Sequence, residues 1–185
     1  MAGMAQLTST NGFLQRLIGA MALDVAIYEE VEADAGATMQ SMAVVALSAT
    51  AAGIGATGLG VAPPRIPVII VAALVSWAAW ALLTFEVGAR ILPTAGTRAN
   101  LGQLLRTIGF STAPGLLLAI GAIPVAARPA FAIVAVWLLL TMVYAVQRAL
   151  DYTSTARAVA VCVFGWLLVA VIGMVIGVLF GPTVS

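Results

Sequence analysis

The sequence predicts an all-α integral membrane protein with five transmembrane helices, preceded by an amphipathic helix that lies in the membrane interface. Three observations predict this fold. Hydrophobic residues make up 63% of the 185 residues and charged residues only 8%, whereas soluble domains carry about 25% charged residues. The apolar residues form five stretches, each long enough to cross roughly 30 Å of hydrocarbon. All eight basic residues are arginines, and they lie near the ends of these stretches.

The chain divides into three predicted parts. Residues 1–11 are expected to be a flexible N-terminus. The start of the chain lacks the cationic region, compact apolar core and small-residue cleavage site of a signal peptide, so no cleavage is expected. Residues 12–34 are predicted to form the amphipathic helix, and residues 38–181 the transmembrane domain. The five predicted spans cover residues 39–59, 66–87, 107–127, 129–149 and 158–180. Cys162 lies within the fifth span, where a lone cysteine indicates a small packing residue.

The distribution of the arginines predicts the orientation. If the N-terminus is cytoplasmic, six arginines lie on the cytoplasmic side of the five-span topology. They are Arg16, Arg90, Arg98, Arg106, Arg148 and Arg157. Arg65 and Arg128 lie outside, so the count agrees with the positive-inside rule. A four-span topology, in which the third stretch returns to the side from which it enters, gives a weaker bias of five against three. Five spans are therefore preferred, with the C-terminus outside.

The predicted amphipathic helix presents apolar residues at three- and four-residue spacing. They are Leu14, Leu17, Ile18, Met21, Val25 and Tyr28. Its end carries four carboxylates, Glu29, Glu30, Glu32 and Asp34, which an anionic leaflet does not favour. Two interpretations stay open: a solvated helix end, with Asp34 capping the first span, or a docking surface for a basic partner. A metal site is disfavoured, because histidine and the ligand spacing of a calcium loop are missing.

Small residues and one ionisable pair characterise the first two spans. The run "SATAAGIGATGLG" at 48–60 predicts close helix packing inside the bundle. Glu86 lies about one turn inside the edge of the second span, and an ionisable residue there is a functional candidate. Arg90, four residues on, and Arg106, in the next span, are its candidate partners. A structural ion pair is the preferred interpretation, and a transport role is the alternative.

The third and fifth spans carry the strongest local signals. Pro114 and Gly115 predict a helix kink near the middle of the third span. Such a kink is common in membrane helices, but broken helices also form binding sites in transporters. The fourth span is predicted to begin at Pro129. In the fifth span a small-residue groove is predicted to pack on a helix of the same bundle or of a neighbouring subunit. Its glycines are Gly165, Gly173, Gly177 and Gly181.

Four segments carry a family resemblance by their order and spacing. They are "YEEVEADAGATMQ" at 28–40, "TFEVGARIL" at 84–92, "LGQLLRTIGFSTAPGLL" at 101–117 and "RALDYTSTARAVAVCVFGW" at 148–166. The chain, over about residues 13–181, resembles the bacterial branch of the Ypt-interacting protein (Yip) domain family. The resemblance implies a five-span protein of the bacterial inner (cytoplasmic) membrane, similar to eukaryotic members that organise trafficking membranes and bind small prenylated GTPases.

Two family features are missing from this sequence. It lacks the long cytoplasmic tail of the eukaryotic members, and "LDVAIYEEV" stands where they carry an Asp-Leu-Tyr-Gly-Pro motif. GTPase binding is therefore not carried over, and no functional residue of the family transfers to this chain.

The composition disfavours catalysis and nucleic-acid binding. The chain has no histidine for general-base work and no lysine for a phosphate loop or Schiff base. It has no nucleophile-elbow motif, and its arginines are dispersed. We therefore expect no enzyme, cofactor or metal. The preferred function is a membrane scaffold or accessory subunit that contacts the lipid bilayer and other integral membrane proteins or itself. The alternative is a small transporter or lipid-moving protein that uses Glu86 and the kinked third span.

Overall fold

The computed structural model describes residues 11–88, 100–150, 152 and 154–180, and within them every regular element is helical. The α-helices are α1 (Phe13–Met21), α2 (Val25–Ala33), α3 (Ala37–Gly55), α4 (Ile66–Glu86), α5 (Leu101–Phe110), α6 (Pro124–Ala149) and α7 (Thr155–Phe180). Three 3₁₀ segments accompany them, at Ala56–Leu59, Pro63–Arg65 and Ala113–Ala122. The predicted all-α class is confirmed for this part of the chain.

Among the described residues, four helical segments are long and apolar enough to cross a membrane, which is compatible with a multi-pass membrane protein. They are the first span (Ala37–Leu59), the second (Pro63–Glu86), the third (Leu101–Ala122) and the fourth (Pro124–Ala149). The helix α7 follows with 26 residues, and its stretch Thr155–Gly165 is also apolar.

The N-terminal segment differs from the prediction, because residues 12–34 form two helices instead of one. The break falls at residues 22–24, where Leu23 adopts a left-handed conformation with φ of 61°. Asp24 then caps α2, since its carboxylate accepts a hydrogen bond of 2.9 Å from the Ala26 N–H. The apolar periodicity continues across this break and hides it in the sequence. We call α1, α2 and the turn between them the N-terminal hairpin.

The third and fourth spans begin earlier than the sequence analysis predicted. Asn100 caps the third span by accepting a hydrogen bond of 2.8 Å from the Gly102 N–H, so this span begins at Leu101. The prediction that the fourth span begins at Pro129 is wrong. The helix α6 begins at Pro124, and Pro129 lies inside it. Pro124 occupies the first turn, where a missing N–H costs no helical hydrogen bond, and Ile123 before it is extended.

The third span changes helix type where the sequence predicts a kink. The α-helical part ends at Phe110, and 3₁₀ geometry holds from Ala113 to Ala122. Pro114 has no N–H to donate to the carbonyl of Phe110, four residues back. The next N–H, that of Gly115, donates to the Thr112 carbonyl, three residues back, at 2.8 Å, as in a 3₁₀ helix. Ten consecutive residues of 3₁₀ geometry are unusual, because such runs rarely exceed three or four residues.

The third span lies at the centre of the bundle. In its most apolar part, 72% of the residues are buried. The same share is 44% for the first span, 22% for the fourth and 11% for the second. The first span packs along it through glycines. A Cβ atom on Gly55 would lie 2.0 Å from the carbonyl oxygen of Leu118, and one on Gly58 would lie 1.9 Å from that of Gly121. Glycine at these two positions therefore permits direct contact between the two backbones.

This contact predicts different effects for two neighbouring glycines of α3. Alanine favours a helix over glycine by about 1 kcal/mol at either position. In Gly55→Ala the new methyl group meets a backbone carbonyl, and we expect a net loss of about 1–3 kcal/mol from overpacking. In Gly53→Ala it lies 2.8 Å from the side chain of Ile70 and 3.2 Å from that of Ile66, and we expect these half-buried side chains to shift at lower cost than a backbone carbonyl. Thermal unfolding in detergent should show a lower melting temperature for Gly55→Ala alone, and equal values for both variants would contradict the proposed packing.

Candidate functional site

A buried arginine organises the N-terminal hairpin. Arg16 lies on α1 with 2% of its side chain exposed. Its Nη2 donates to Glu30 Oε1 at 2.8 Å and to Asp34 Oδ2 at 2.7 Å, and its Nε donates to Glu30 Oε1 at 3.1 Å. Its Nη1 donates to Gln40 Oε1 on α3 at 3.1 Å. One guanidinium thus joins α1 to the end of α2, to the residue that follows α2, and to the first span.

Glu30 closes the open end of the hairpin. Besides Arg16, its carboxylate accepts a hydrogen bond of 3.0 Å from the backbone N–H of Asn11 and a second from the Asn11 side-chain amide. Asn11 precedes α1, and Glu30 lies in the last turns of α2. The start and the end of the hairpin are therefore held together. We call Asn11, Arg16, Glu30, Asp34 and Gln40 the Arg16 cluster.

The electrostatics of the Arg16 cluster favour its charged form. Burial acts to raise the pKa of Glu30, but the hydrogen bonds from Asn11 and Arg16 outweigh it and hold that pKa below its usual value. The hydrogen bond from Arg16 and then that from the Gly36 N–H lower the pKa of Asp34. Burial alone would lower the pKa of Arg16, yet its two carboxylate partners raise it. A buried charge is thus balanced by two partly exposed ones.

A second arginine fixes α2 from the other side. Arg106 on α5 is 9% exposed; its Nε donates to the Val31 carbonyl at 3.1 Å and its Nη2 to the Glu32 carbonyl. These carbonyls belong to the last turn of α2, where backbone acceptors lack helical partners and a cation is favoured by the helix dipole. Arg106 therefore acts as a C-terminal cap for α2, supplied by the third span.

The predicted tie between Arg106 and Glu86 is wrong, since the Arg106 guanidinium is directed to the backbone of α2. Glu86 is the last residue of α4, where it is half-buried. Its other predicted partner, Arg90, lies outside the residues that the structure describes, so that ion pair stays a prediction.

The acidic residues at the end of α2 do not act as one group. Glu30 and Asp34 are bound to Arg16, and the Glu32 carbonyl is bound to Arg106. Glu29 is exposed. Asp34 also accepts a hydrogen bond of 2.8 Å from the Gly36 N–H just before α3. Two of the four carboxylates considered for partner docking are thus internal counter-charges. In the sequence Arg16 contributes only to the positive-inside count, and no local pattern indicates this cluster.

Aromatic side chains hold the hairpin against α5 and α6. The Trp137 Nε1 on α6 donates to the Met21 carbonyl at the end of α1, at 2.9 Å. Tyr28 is fully buried, donates its hydroxyl to Ala20 O at 3.2 Å, and meets the edge of Tyr144 with ring centroids 5.3 Å apart. None of these contacts was predicted, because the partners lie far apart in the sequence.

The glycine groove of α7 packs within the same chain at its first position. A Cβ atom on Gly165 would lie 3.1 Å from Trp80 Nε1 and 3.5 Å from Thr84 Oγ1, both on α4. Intramolecular packing is therefore supported at Gly165. The side-chain surroundings of Gly173 and Gly177 are not described, and Gly181 lies outside the described residues.

Other candidate sites are limited. Within the described ranges no group of three or more His, Cys, Asp and Glu side chains is arranged to hold a metal ion. At the end of the bundle far from the Arg16 cluster, an open cleft of about 350 Å³ lies between Gly58, Leu59, Pro124, Val125 and Arg128.

Comparison with known family models, with curated proteins and with solved structures gives no match for this chain.

The Arg16 cluster predicts that the same substitution changes the melting temperature at one of two adjacent glutamates and not at the other. Glu30→Gln removes the charge that faces Arg16, and a hydrogen bond to a charged group contributes roughly 1.5–3 kcal/mol. We expect the lower end of that range, because Glu30 keeps 22% exposure. Glu29→Gln is the matched control and should change the melting temperature little, since Glu29 is exposed. Equal melting temperatures for the two variants would contradict the structural role of the cluster.

The same cluster predicts a pH dependence of stability. The pKa values of Glu30 and Asp34 are lower in the folded protein than in the unfolded chain. Their stabilisation is therefore present above the unfolded value, near 4, and is lost as the pH falls through the folded values. Melting temperatures measured from neutral pH down to about pH 3 should fall, and Arg16→Gln should show a shallower fall over the same window. A parallel profile for this variant would exclude Arg16 as the cause.

Proposed function

We propose that this chain is a five-span membrane protein of the Yip-domain type that acts without catalysis, as a scaffold or an accessory subunit of a larger membrane complex. Its N-terminus is proposed to lie in the cytoplasm and its C-terminus outside, in a bacterial inner membrane. The length of α7 supports the fifth span, because 26 helical residues extend about 39 Å and the hydrocarbon is roughly 30 Å thick.

One observation carries the scaffold proposal: α4 exposes a continuous apolar stripe. The second span is 11% buried in the described structure. Four large residues at helical spacing lie along one side of α4: Val68 (68% exposed), Val71 (58%), Val75 (62%) and Leu82 (52%). The small residues Ala72 and Ser76 are exposed beside this stripe. Small residues next to a flat apolar surface allow another membrane helix to approach closely.

The charged groups support α4 as the contact surface more than they support the end of α2. Glu30 and Asp34 neutralise Arg16, and Arg106 caps α2. These groups hold the hairpin to the bundle. Of the three glutamates on the last turns of α2 (Glu29, Glu30 and Glu32), Glu29 is the exposed one. A partner in the membrane that packs on α4 therefore fits the exposed surface better than a basic soluble partner does.

Site-specific crosslinking in cells tests this proposal. A benzophenone amino acid replaces Val75 on α4 or, as a matched control, Val136 on α6, which is 59% exposed. We expect Val75 to yield an adduct with a second membrane protein or a second copy of the chain, and Val136 to yield lipid adducts. Lipid adducts alone from both positions would overturn the scaffold proposal, because α4 would then face only the bilayer.

The alternative is a small transporter or lipid-moving protein, and it rests on the third span. A ten-residue 3₁₀ segment at the buried centre of a bundle has fewer ideal hydrogen bonds than an α-helix, which favours a change of conformation. Reconstitution in liposomes tests this alternative. Flux or lipid movement that Glu86→Gln reduces would support it, whereas vesicles without either activity would remove it.

A further inference from the structure

The helix α6 provides a depth scale for the bundle. Arg128 and Arg148 flank its apolar part, and the about 20 residues between them span roughly 30 Å, the thickness of the hydrocarbon. Trp137 lies near the middle of this interval. Its indole N–H donates to the Met21 carbonyl at 2.9 Å, so the tip of the N-terminal hairpin lies close to the middle of α6.

Further contacts order the rest of the hairpin along this scale. Tyr28 meets Tyr144, seven residues beyond Trp137 toward Arg148, with ring centroids 5.3 Å apart. Val31 accepts from Arg106 at 3.1 Å, near the start of the third span. The helix α2 therefore runs from the level of Trp137 to the end of the bundle that holds Arg148. Each hairpin helix has nine residues, about 13 Å, which is close to the thickness of one leaflet of the hydrocarbon.

The helix α1 is apolar on both sides, since Phe13, Leu17 and Met21 pack against the core; Gln15 is exposed beside the outer apolar residues. The charged residue of α1, Arg16, points inward with 2% exposure. Its large apolar residues Leu14 and Ile18 point outward with 68% and 64% exposure, and Val25 at the start of α2 is 39% exposed. A charge inside and an apolar face outside fit a surrounding of lipid chains, because exposed apolar surface in water is unfavourable.

Several backbone groups of the hairpin turn are bonded within the protein. The N–H groups of Ala22, Leu23 and Asp24 donate to Ile18, Ala20 and Gly19 carbonyls at 2.9, 3.3 and 2.9 Å. The Met21 carbonyl accepts from Trp137. Backbone within hydrocarbon must find such partners inside the protein. Asp24, which is exposed, carries the charge nearest the tip, and its carboxylate accepts from the Ala26 N–H at 2.9 Å.

We propose that α1 and α2 form a re-entrant hairpin that enters one leaflet of the membrane and returns, with Ile18 and Val25 against lipid acyl chains and Leu14 near the membrane boundary. The tip reaches about the middle of the bilayer, and the Arg16 cluster lies at the membrane boundary. The hairpin fills the space beside the short α-helical part of the third span and covers the faces of α5 and α6 that hold Arg106 and Tyr144. This arrangement replaces the predicted helix in the plane of the interface.

Nitroxide labels measure the depth directly. In a Cys162→Ala background, single cysteines replace Leu14, Ile18, Val25 and, as an aqueous control, Glu29. The labelled protein is reconstituted in vesicles of phosphatidylcholine and phosphatidylglycerol, and collisions with oxygen and with a water-soluble nickel chelate are compared. We expect the label at Ile18 to lie about 6 Å deeper than that at Leu14, since four residues separate them on α1. The label at Val25 should be at least as deep as that at Leu14, and the label at Glu29 should meet the nickel chelate.

Three results would overturn the proposal. Equal depth at Leu14 and Ile18 would mean a helix in the interface plane, and access of nickel to all four labels would mean a hairpin outside the membrane. Protection of Leu14 and Ile18 from both reagents would mean that a second copy of the chain covers this face. The replaced apolar side chains are exposed, so the variants should keep the wild-type melting temperature, which is measured first to show that they are folded.

Discussion

The direct contact between the backbones of the first and third spans determines the arrangement of the other helices. Gly55 and Gly58 bring α3 and its 3₁₀ extension against the carbonyls of Leu118 and Gly121. In a membrane, apolar burial gives little net attraction between helices, so close packing of small residues must supply it. The third span is then enclosed by the first span on one side and α6 on another, and its α-helical part is left to receive the N-terminal hairpin.

The arginines have two physical roles that their positions in the sequence do not distinguish. Arg65 and Arg128 are exposed at one end of the bundle. Arg16 and Arg106 are buried and donate to groups on α2. A buried guanidinium is stable only when its donors find acceptors, and both do so at the end of α2. The two residues therefore hold this helix from opposite sides, which explains why a segment as short as α2 can be a fixed part of the fold.

The use of charged groups inside the fold also bears on function. The carboxylates of Glu30 and Asp34 balance Arg16, so they are poor candidates for ligand chemistry. What the described surface offers instead is apolar area on α4 and on the outer face of α1. The first surface suits another membrane helix, and the second suits lipid chains. The proposed scaffold function rests on these apolar surfaces.

The sequence by itself determined the all-helical class, four segments that are long and apolar enough to cross a membrane, and the site of the change in the third span. These features depend on local properties: apolar length, small-residue content, and the missing N–H of Pro114. It did not reveal the hairpin, because apolar spacing from Leu14 to Tyr28 continues through the turn at Leu23. The caps at Asp24 and Asn100 were local signals that could have moved the predicted boundaries.

Only the tertiary structure decided which charges meet. Arg16 binds residues 14, 18 and 24 positions away, and Arg106 binds carbonyls 75 and 74 positions away. Such pairs have no signature in composition or periodicity, because a guanidinium satisfies any acceptor that the fold brings within reach. The acceptors of both arginines lie within reach because the hairpin packs back on the third span. This placement depends on the packing of all the spans together.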